Sequence, residues 1–312
     1  MLPFKLIYHK GYDLNLGEHV FPSQKFHLIA ETLKSEGIAT EGDFLTPEPS
    51  ADEDILRVHT PAWVEKLKTG TLTASEIMKL EIPYSREAVE ACWLAAGGSI
   101  LAGQRALRDG FGCNLGGGFH HAYPGHGEGF CAIHDVAVAI RRLQQDGEIR
   151  KAMVVDTDVH QGNGTAAIFA KDDSVFTLSI HQANNYPAYK PPSDADLELA
   201  DGVDDDEYLG TLIPAVQTAL DEFRPEIVFY VGGADPFCED QLGGLSLTKK
   251  GLKERDKRVF EEARGRGIAV ATALAGGYAR VVGDTIRIHV NTILAAQEVA
   301  LAFPSVSAAG QM

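Results

Sequence analysis

Short runs of apolar, largely β-branched or aromatic residues recur along the chain, with longer amphipathic stretches between them. Most of these runs are apolar throughout and do not alternate with polar residues. Each therefore predicts a strand that is covered on both faces of a parallel sheet. The predicted strands are Phe4–Tyr8, Ala152–Val155, Ser174–Ile180, Glu226–Val231 and Ile268–Ala273.

The stretches between these runs carry apolar residues at helical spacing. One begins at Pro22-Ser23, buries positions such as Phe26 and Leu33, and ends at Gly37. Strands that alternate with helices predict an α/β protein with a central, mostly parallel sheet. No linker or repeat divides the sequence, so we predict a single domain over 1–312. The other predicted helices are Arg86–Arg108, Tyr208–Phe223, Leu252–Gly265 and Thr285–Ala300.

Acidic residues and a histidine follow the predicted strand that ends at Val155. Ligands of such sheets bind beyond the carboxyl ends of the strands. Asp156, Asp158 and His160 stand at alternate positions there, and an extended backbone would turn all three side chains to one side. A helix cap followed by a surface turn is the alternative, but the strand before them is strongly apolar.

A second predicted strand, Glu226–Val231, ends in two glycines, an alanine and Asp235. The glycines would let the backbone approach a ligand closely. Two carboxylates and one imidazole suit a zinc-like ion that keeps one position open for water. Asp158, His160 and Asp235 are therefore the candidate metal ligands.

Glycine-rich turns precede two further groups of candidate residues. Three glycines come before His120 and His121, which could act as general base and acid, as metal ligands, or as hydrogen-bonded loop residues. Gly276 and Gly277 follow the predicted strand Ile268–Ala273 and precede Tyr278. A phenol at that position could stabilise an oxyanion, or it could be an ordinary half-buried aromatic residue.

Composition narrows the classes of function without identifying the reaction. Apolar residues make up 45% and charged residues 23%, which is typical of a soluble globular protein. The net charge of −16 makes a nucleic acid a poor partner. Fourteen acidic residues, and no Lys or Arg, fall in Glu41–Asp54 and Asp194–Glu207, which we predict to be solvated surface loops.

The sequence also bears on the compartment in which the protein works. It begins without a basic and apolar leader, and no apolar run is as long as a membrane span. The four cysteines are scattered and form no C-x-x-C pair, which disfavours a disulfide framework or a cysteine zinc site. We therefore predict a cytoplasmic protein with no membrane partner. The oligomeric state cannot be predicted from these features.

Five segments in combination resemble the histone deacetylase family, from Tyr8 to about Ala300. That resemblance implies the arginase/deacetylase fold, a three-layer αβα arrangement. Gln161 stands where most deacetylases carry a second histidine, which is similar to the class IV branch and its bacterial relatives. The segments are GGGFHHA (116–122), GEGFC (127–131), DTDVHQGNGT (156–165), GGADPFCEDQLGGLSLT (232–248) and LAGGY (274–278).

The resemblance implies a role for each candidate residue. One zinc ion would be held by Asp158, His160 and Asp235. His120 and His121 would be the histidine pair of the family, with Asp156 and Asn163 as their respective partners, and Tyr278 would be the catalytic tyrosine. Family members often carry Asp at position 163, and an Asn there should leave His121 less basic. Residues implied to bind the substrate are Gly129, Phe130, Tyr186, Leu242, Gly276 and Gly277.

Family members also bind potassium, so the resemblance implies K⁺ as a second cofactor. One site would use Asp156, main-chain oxygens of Asp158 and His160, and Ser179 with Ile180. A second site would use main-chain oxygens near Phe169, Asp172, Val175 and Tyr208.

The implied activity is zinc-dependent hydrolysis of Nε-acyl-lysine, which releases a carboxylate and a free amine. The partner would be an acylated protein or peptide, or a small acylated amine, and the acyl length is not readable from the sequence. An acetylpolyamine amidohydrolase is the main alternative. A binuclear manganese ureohydrolase would need an Asp-x-Asp pair where this chain has only Asp235. A non-catalytic binding module would not require the complete set of catalytic side chains.

Overall fold

The computed structural model describes residues 1–304, and within them a single sheet contains eight strands that all run parallel. The strand order is β2-β1-β3-β8-β7-β4-β5-β6. This confirms the predicted α/β class, with a sheet that is parallel throughout. The strands are β1 (Lys5–Ile7), β2 (Phe44–Leu45), β3 (Phe111–Asn114), β4 (Ala152–Asp156), β5 (Val175–Gln182), β6 (Ala195–Leu199), β7 (Ile227–Gly232) and β8 (Ala269–Leu274).

Helices connect the strands, and those predicted from the sequence form with similar ends. Ser85 and Thr248 cap two of them by accepting hydrogen bonds from the first-turn amides of Ala88 and Gly251. No helix of the described chain is both long enough and apolar enough to cross a membrane. The helices are α1 (Lys25–Ser35), α2 (Asp52–Ile55), α3 (Pro61–Thr69), α4 (Ala74–Leu80), α5 (Arg86–Asp109), α6 (Asp135–Gln145), α7 (Asn163–Phe169), α8 (Asp205–Phe223), α9 (Lys249–Gly265) and α10 (Val282–Ala302).

Both faces of the sheet are covered, which explains why its strands are apolar throughout. On one face, side chains such as Val155 and Tyr230 pack in a core with α1, α8, α9 and α10. On the other face, Val154 and Phe229 pack with α5 and α6. Neighbouring residues of a strand point to opposite faces, so two covered faces require apolar residues at every position. The predicted three-layer αβα arrangement is confirmed.

The two acidic segments are not simply the solvated loops that we expected from their charge. β2 lies inside the first segment and β6 inside the second. Asp43 is fully buried and accepts hydrogen bonds from the Leu2 and Thr40 amides, and Asp54 is buried against Arg142. These carboxylates have partners that are distant in sequence, which charge patterning alone cannot reveal.

Four adjacent central strands bring the candidate residues to one edge of the sheet. β3, β8, β7 and β4 are neighbours and end in register, with Asn114 opposite Ala273 and Asp156 opposite Val231. The loops that follow these strands carry the histidine pair, Tyr278, Asp235 and the Asp158–His160 segment. The single-domain prediction stays a prediction, and its residues 305–312 lie outside the described part of the chain.

Candidate active site

Asp158, His160 and Asp235 form a buried triad at the carboxyl edge of the sheet. Their ligand atoms all lie within 4.8 Å of one another. His160 Nδ1 is 3.0 Å from Asp158 Oδ1 and 3.5 Å from Asp235 Oδ2. Ligand atoms around a tetrahedral zinc with bonds of about 2.0–2.1 Å would be roughly 3.4 Å apart. The spacing of the triad therefore fits a small, tetrahedrally coordinated cation.

Asp235 supplies a second indication that the triad suits a cation. Its Oδ2 atom is buried and has no hydrogen-bond partner among the described residues. Burial and the neighbouring Asp158 carboxylate raise the pKa of Asp235 to about 7. A buried carboxylate pair of this kind is costly unless a proton or a cation lies between the two groups.

The loop after β4 differs from the extended backbone that we predicted. β4 ends at Asp156, and the residues after it bend. The bend is held by its own carboxylates, because Asp156 Oδ1 accepts from the Asp158 amide and Asp158 Oδ1 accepts from the His160 amide. Asp158 and His160 still converge on one site, but they do so through a turn closed by these hydrogen bonds.

Gly276 lets the loop after β8 lie directly against the triad. Its amide donates to Asp158 Oδ2 over 2.8 Å. A methyl group at this position would lie 2.0 Å from Asp235 Oδ2 and 2.5 Å from Asp158 Oδ2. Only glycine fits such an approach, and the same loop then positions Tyr278.

The adjacent histidines lie beside the triad, and each has its own hydrogen-bond partner. His120 Nδ1 is 2.6 Å from Asp156 Oδ2, and His121 Nδ1 is 2.7 Å from Asn163 Oδ1. The two rings are 4.0 Å apart, and His120 Nε2 lies 3.8 Å from Asp158 Oδ1. Both partnerships are those that the family resemblance implied.

The surroundings of the two histidines drive their pKa values in opposite directions. Burial disfavours the charged form of His120, but Asp156 and Asp158 outweigh it and raise the pKa of His120 to about 9. Burial, reinforced by the charges of His120 and His160, holds the pKa of His121 well below its usual range. A site with one charged and one neutral imidazole can separate electrostatic stabilisation from proton transfer.

Tyr278 is buried against the aromatic wall of the site. Its ring lies 6.4 Å from the ring of His160 and 6.0 Å from that of Phe130. Its amide donates to Asp240 Oδ2, and Gln241 Nε2 donates to its carbonyl oxygen. Burial together with the charges of Asp158 and Asp235 holds the pKa of the phenol well above its usual range. The hydroxyl therefore keeps its proton and can donate a hydrogen bond.

A cavity of about 220 Å³ leads from the surface to these groups. Four of the predicted substrate-binding residues line it: Gly129, Phe130, Tyr186 and Leu242. The ring of Tyr186 stands edge-on to the ring of His121 at 4.9 Å. A second cavity of only about 20 Å³ is lined by His120, His121 and Asp158, and also by Phe21, Gly118 and Ala275.

A model of the histone deacetylase domain matches residues 19–293. The chain belongs to the histone deacetylase family. Histone deacetylase 2 of Arabidopsis thaliana is 31% identical, over 90% of this chain and 77% of its own length. An uncharacterized protein of Picosynechococcus sp. is 39% identical, over 92% of this chain and 96% of its own. The solved HDA15 HD domain has the same fold, with a TM-score of 0.79, 22% identity and coverage of 95% and 94%.

Membership in the histone deacetylase family identifies the chain as a hydrolase that removes acyl groups from amides. The matched region contains every predicted catalytic and metal-binding residue. It also includes the cavity-lining residues Tyr186 and Leu242. The family assignment therefore supports amide hydrolysis at this site and gives no support to the ureohydrolase alternative.

The residues predicted for potassium fall in two places in this deacetylase fold. Asp156 pairs in register with Ser179, so the first set lies together where β4 and β5 meet. Phe169, Asp172 and Val175 share the turn between α7 and β5 through amide-to-carbonyl hydrogen bonds. Tyr208 is buried inside α8, a helix that contacts β5. Potassium stays a prediction.

Sequence reasoning missed three buried charged residues that hold the site together. Asp240 accepts from the amides of Tyr278, Leu242 and Gly243, which ties two loops of the site to each other. Lys25, from α1, donates to the Ala275 carbonyl oxygen. Burial lowers the pKa of Lys25 to about 8, against the opposing effect of nearby carboxylates. The third is Glu128, which contacts Asn163.

Proposed function

We propose that the protein is a zinc-dependent deacylase that hydrolyses Nε-acyl-lysine amides to a carboxylate and a free lysine amine. The observation that carries this proposal is the arrangement of the metal triad beside His120, His121 and Tyr278 at the inner end of the 220 Å³ cavity. A slender side chain that ends in an amide could enter this cavity. Gln161 further supports our inference of a class IV-like enzyme.

Each group of the site has a separate task in this reaction. Zinc, held by Asp158, His160 and Asp235, would supply Lewis-acid chemistry at the substrate carbonyl and make a nearby water more acidic. Neutral His121 accepts the proton of the attacking water and then returns it to the leaving nitrogen as the C–N bond breaks. Charged His120 stabilises the negative charge that develops on the carbonyl oxygen of the substrate as water attacks. The Tyr278 phenol donates a hydrogen bond to that oxygen.

Acyl length is the first property to test, because the second cavity, which the catalytic histidines line, is small. A volume of about 20 Å³ holds little more than one water molecule. We therefore expect kcat/KM to be highest for acetyl-lysine and to fall steeply towards myristoyl-lysine. The measurement is a peptide panel of increasing acyl length, with bound zinc determined on the same sample. Equal rates for acetyl and myristoyl peptides would contradict the expectation, and no hydrolysis of any peptide would refute the proposed function.

Metal binding should depend on pH, because the metal-free triad holds protons. Burial lowers the pKa of His160, but Asp158 and Asp235 outweigh it and raise that pKa to about 10. A histidine that binds a metal must be neutral, so zinc binding at neutral pH must release the extra proton of His160. Affinity for zinc should therefore rise about tenfold per pH unit between pH 7 and 8, and more steeply below pH 7, where Asp235, with its pKa raised to about 7, also holds a proton. Calorimetry in buffers of different ionisation enthalpy measures the released proton, and a pH-independent affinity would contradict this view.

A small acylated polyamine is the second candidate substrate, and Glu81 is the observation that favours it. This exposed carboxylate lies at the outer rim of the cavity, where it could pair with a second amino group of the substrate. Adding monoacetylated polyamines to the peptide panel separates the two candidates. A kcat/KM for acetylpolyamines above that for acetyl-lysine peptides would replace the proposed substrate.

A further inference from the structure

His121 has a neutral partner, but a carboxylate stands directly behind that partner. Asn163 Oδ1 lies 2.7 Å from His121 Nδ1, and Asn163 Nδ2 donates to Glu128 Oε1 over 2.5 Å. Asn163 is fully buried and Glu128 is 8% exposed. The side chains thus form a chain of three groups: carboxylate, amide and imidazole. His120, by contrast, contacts the carboxylate of Asp156 without an intermediary.

The carboxylate fixes the direction of every hydrogen bond in this chain. An ionised Glu128 can only accept, so Asn163 must turn its NH₂ group towards it. The amide oxygen of Asn163 then faces His121, and an oxygen can only accept from Nδ1–H. A neutral His121 that carries its proton on Nδ1 has a free lone pair on Nε2. That tautomer is the one that can accept a proton from water.

Other contacts keep Glu128 ionised and in place. Lys79 Nζ lies 2.8 Å from Glu128 Oε2, and His126 Nε2 lies 3.3 Å from the same oxygen. Burial raises the pKa of Glu128, but contacts with Lys79, Tyr186 and Asn163 outweigh it, so the pKa lies below its usual range. Glu128 immediately precedes Gly129 and Phe130, which line the cavity. Glu128 therefore lies directly behind the wall of the cavity, next to Asn163.

We propose that Glu128 is a positioning residue that acts through Asn163 to set the tautomer of His121 and to stabilise its protonated form. This inference rests on the proposed function and assigns Glu128 the charge that Asp supplies directly in many relatives. During turnover the water proton would move to His121 Nε2, while Nδ1–H stays bonded to Asn163. No proton moves onto Asn163 or Glu128, and the same proton leaves with the amine.

A double-mutant cycle tests the proposal, because the effect of Asn163→Asp on kcat should depend on whether residue 128 is Glu or Gln. Glu128→Gln removes the charge and lets the Asn163 amide rotate, so we expect kcat to fall by about ten- to a hundredfold with KM nearly unchanged. Asn163→Asp alone would bring two carboxylates into contact and should not raise kcat. In the Glu128→Gln background the same Asp contacts His121 directly, so the double variant should recover most of the lost kcat.

Glu36→Gln is the matched control, because it makes the same change at a carboxylate that pairs with Arg287 away from the cavity and from Asn163. It should keep kcat near that of the unaltered protein. The proposal is overturned if Glu128→Gln retains full kcat, if Glu36→Gln loses as much as Glu128→Gln, or if Asn163→Asp acts alike in both backgrounds.

The tautomer of His121 can be read without any assay of activity. Nitrogen-15 NMR of metal-free protein labelled at histidine should show His121 protonated at Nδ1, and a mixture of tautomers in Glu128→Gln. Identical His121 spectra in the two proteins would overturn the proposal. A protein that hydrolyses none of the acyl substrates but shows this difference would refute the proposed function and leave the role of Glu128 standing.

Discussion

Tyr278→Phe should abolish most of the turnover and leave the metal content unchanged. The phenol is buried, keeps its proton and lines the cavity with His121 and His160, so we expect it to donate a hydrogen bond to charge that develops only in the transition state. Removal of one donor of this kind typically costs about 10²–10³-fold in kcat. The fall should appear in kcat and kcat/KM alike, with little change in KM. Steady-state kinetics on an acetyl-lysine peptide, with zinc per chain measured in parallel, provide the check.

Tyr84→Phe is the control for this prediction. This substitution also removes a hydrogen bond, which the Tyr84 hydroxyl donates to the Leu67 carbonyl oxygen, but Tyr84 lies outside the catalytic cavity. We expect this variant to keep its kcat. A Tyr278→Phe enzyme with an undiminished rate would remove the phenol from the mechanism, and a loss of zinc would instead assign Tyr278 a structural role.

The sequence predicted five of the eight described strands, and it missed the two edge strands and the short buried strand β3. β4, β7 and β8 lie inside the sheet between two helical layers, so their apolar runs are unmistakable. β2 and β6 are the edge strands, and each lies in a segment whose charge suggested a loop. An edge strand has one neighbouring strand and stays partly exposed to solvent. Charged side chains such as Asp196 and Glu198 of β6 are therefore tolerated there, and they hide the strand from a search for apolar runs.

The site was predictable where its residues follow central strands and unpredictable where they come from elsewhere. Asp158, His160 and Asp235 converge because β4 and β7 are adjacent and end together. Lys25 reaches the site from α1, 250 positions from the carbonyl oxygen that it contacts. Glu128 stands three residues before Cys131, inside a motif that the resemblance assigned to the cavity wall. Its orientation towards Asn163 depends on tertiary structure and leaves no pattern in the sequence.

Most buried carboxylates near the catalytic groups have a cationic side chain or backbone amides as partners. Asp156 is paired with His120, Glu128 with Lys79, and Asp240 accepts three amides. The Asp158–Asp235 pair has neither a Lys nor an Arg in contact. Of the buried carboxylates around the catalytic groups, this pair is thus the one whose charge calls for a metal ion.

Asp235→Asn should lose the metal while the fold is retained. The amide has the shape of the carboxylate, and its oxygen can still accept from the Val159 amide as Oδ1 does now. It cannot supply the negative charge that an anionic ligand gives to zinc. We therefore expect elemental analysis to find little zinc after dialysis. The metal-free variant should unfold at a temperature no lower than the metal-free parent, because it no longer buries two adjacent carboxylates.

The response to added zinc separates loss of the metal site from damage to the fold. A ligand at a hundred times its Kd stabilises the folded state by about 2.7 kcal/mol, so zinc should raise the unfolding temperature of the parent protein. It should leave that of Asp235→Asn unchanged. Asp201→Asn is the matched control, since this carboxylate accepts from Gln182 and lies outside the triad, and the variant should respond to zinc as the parent does. A zinc-induced rise in Asp235→Asn equal to that of the parent would remove Asp235 from the ligand set.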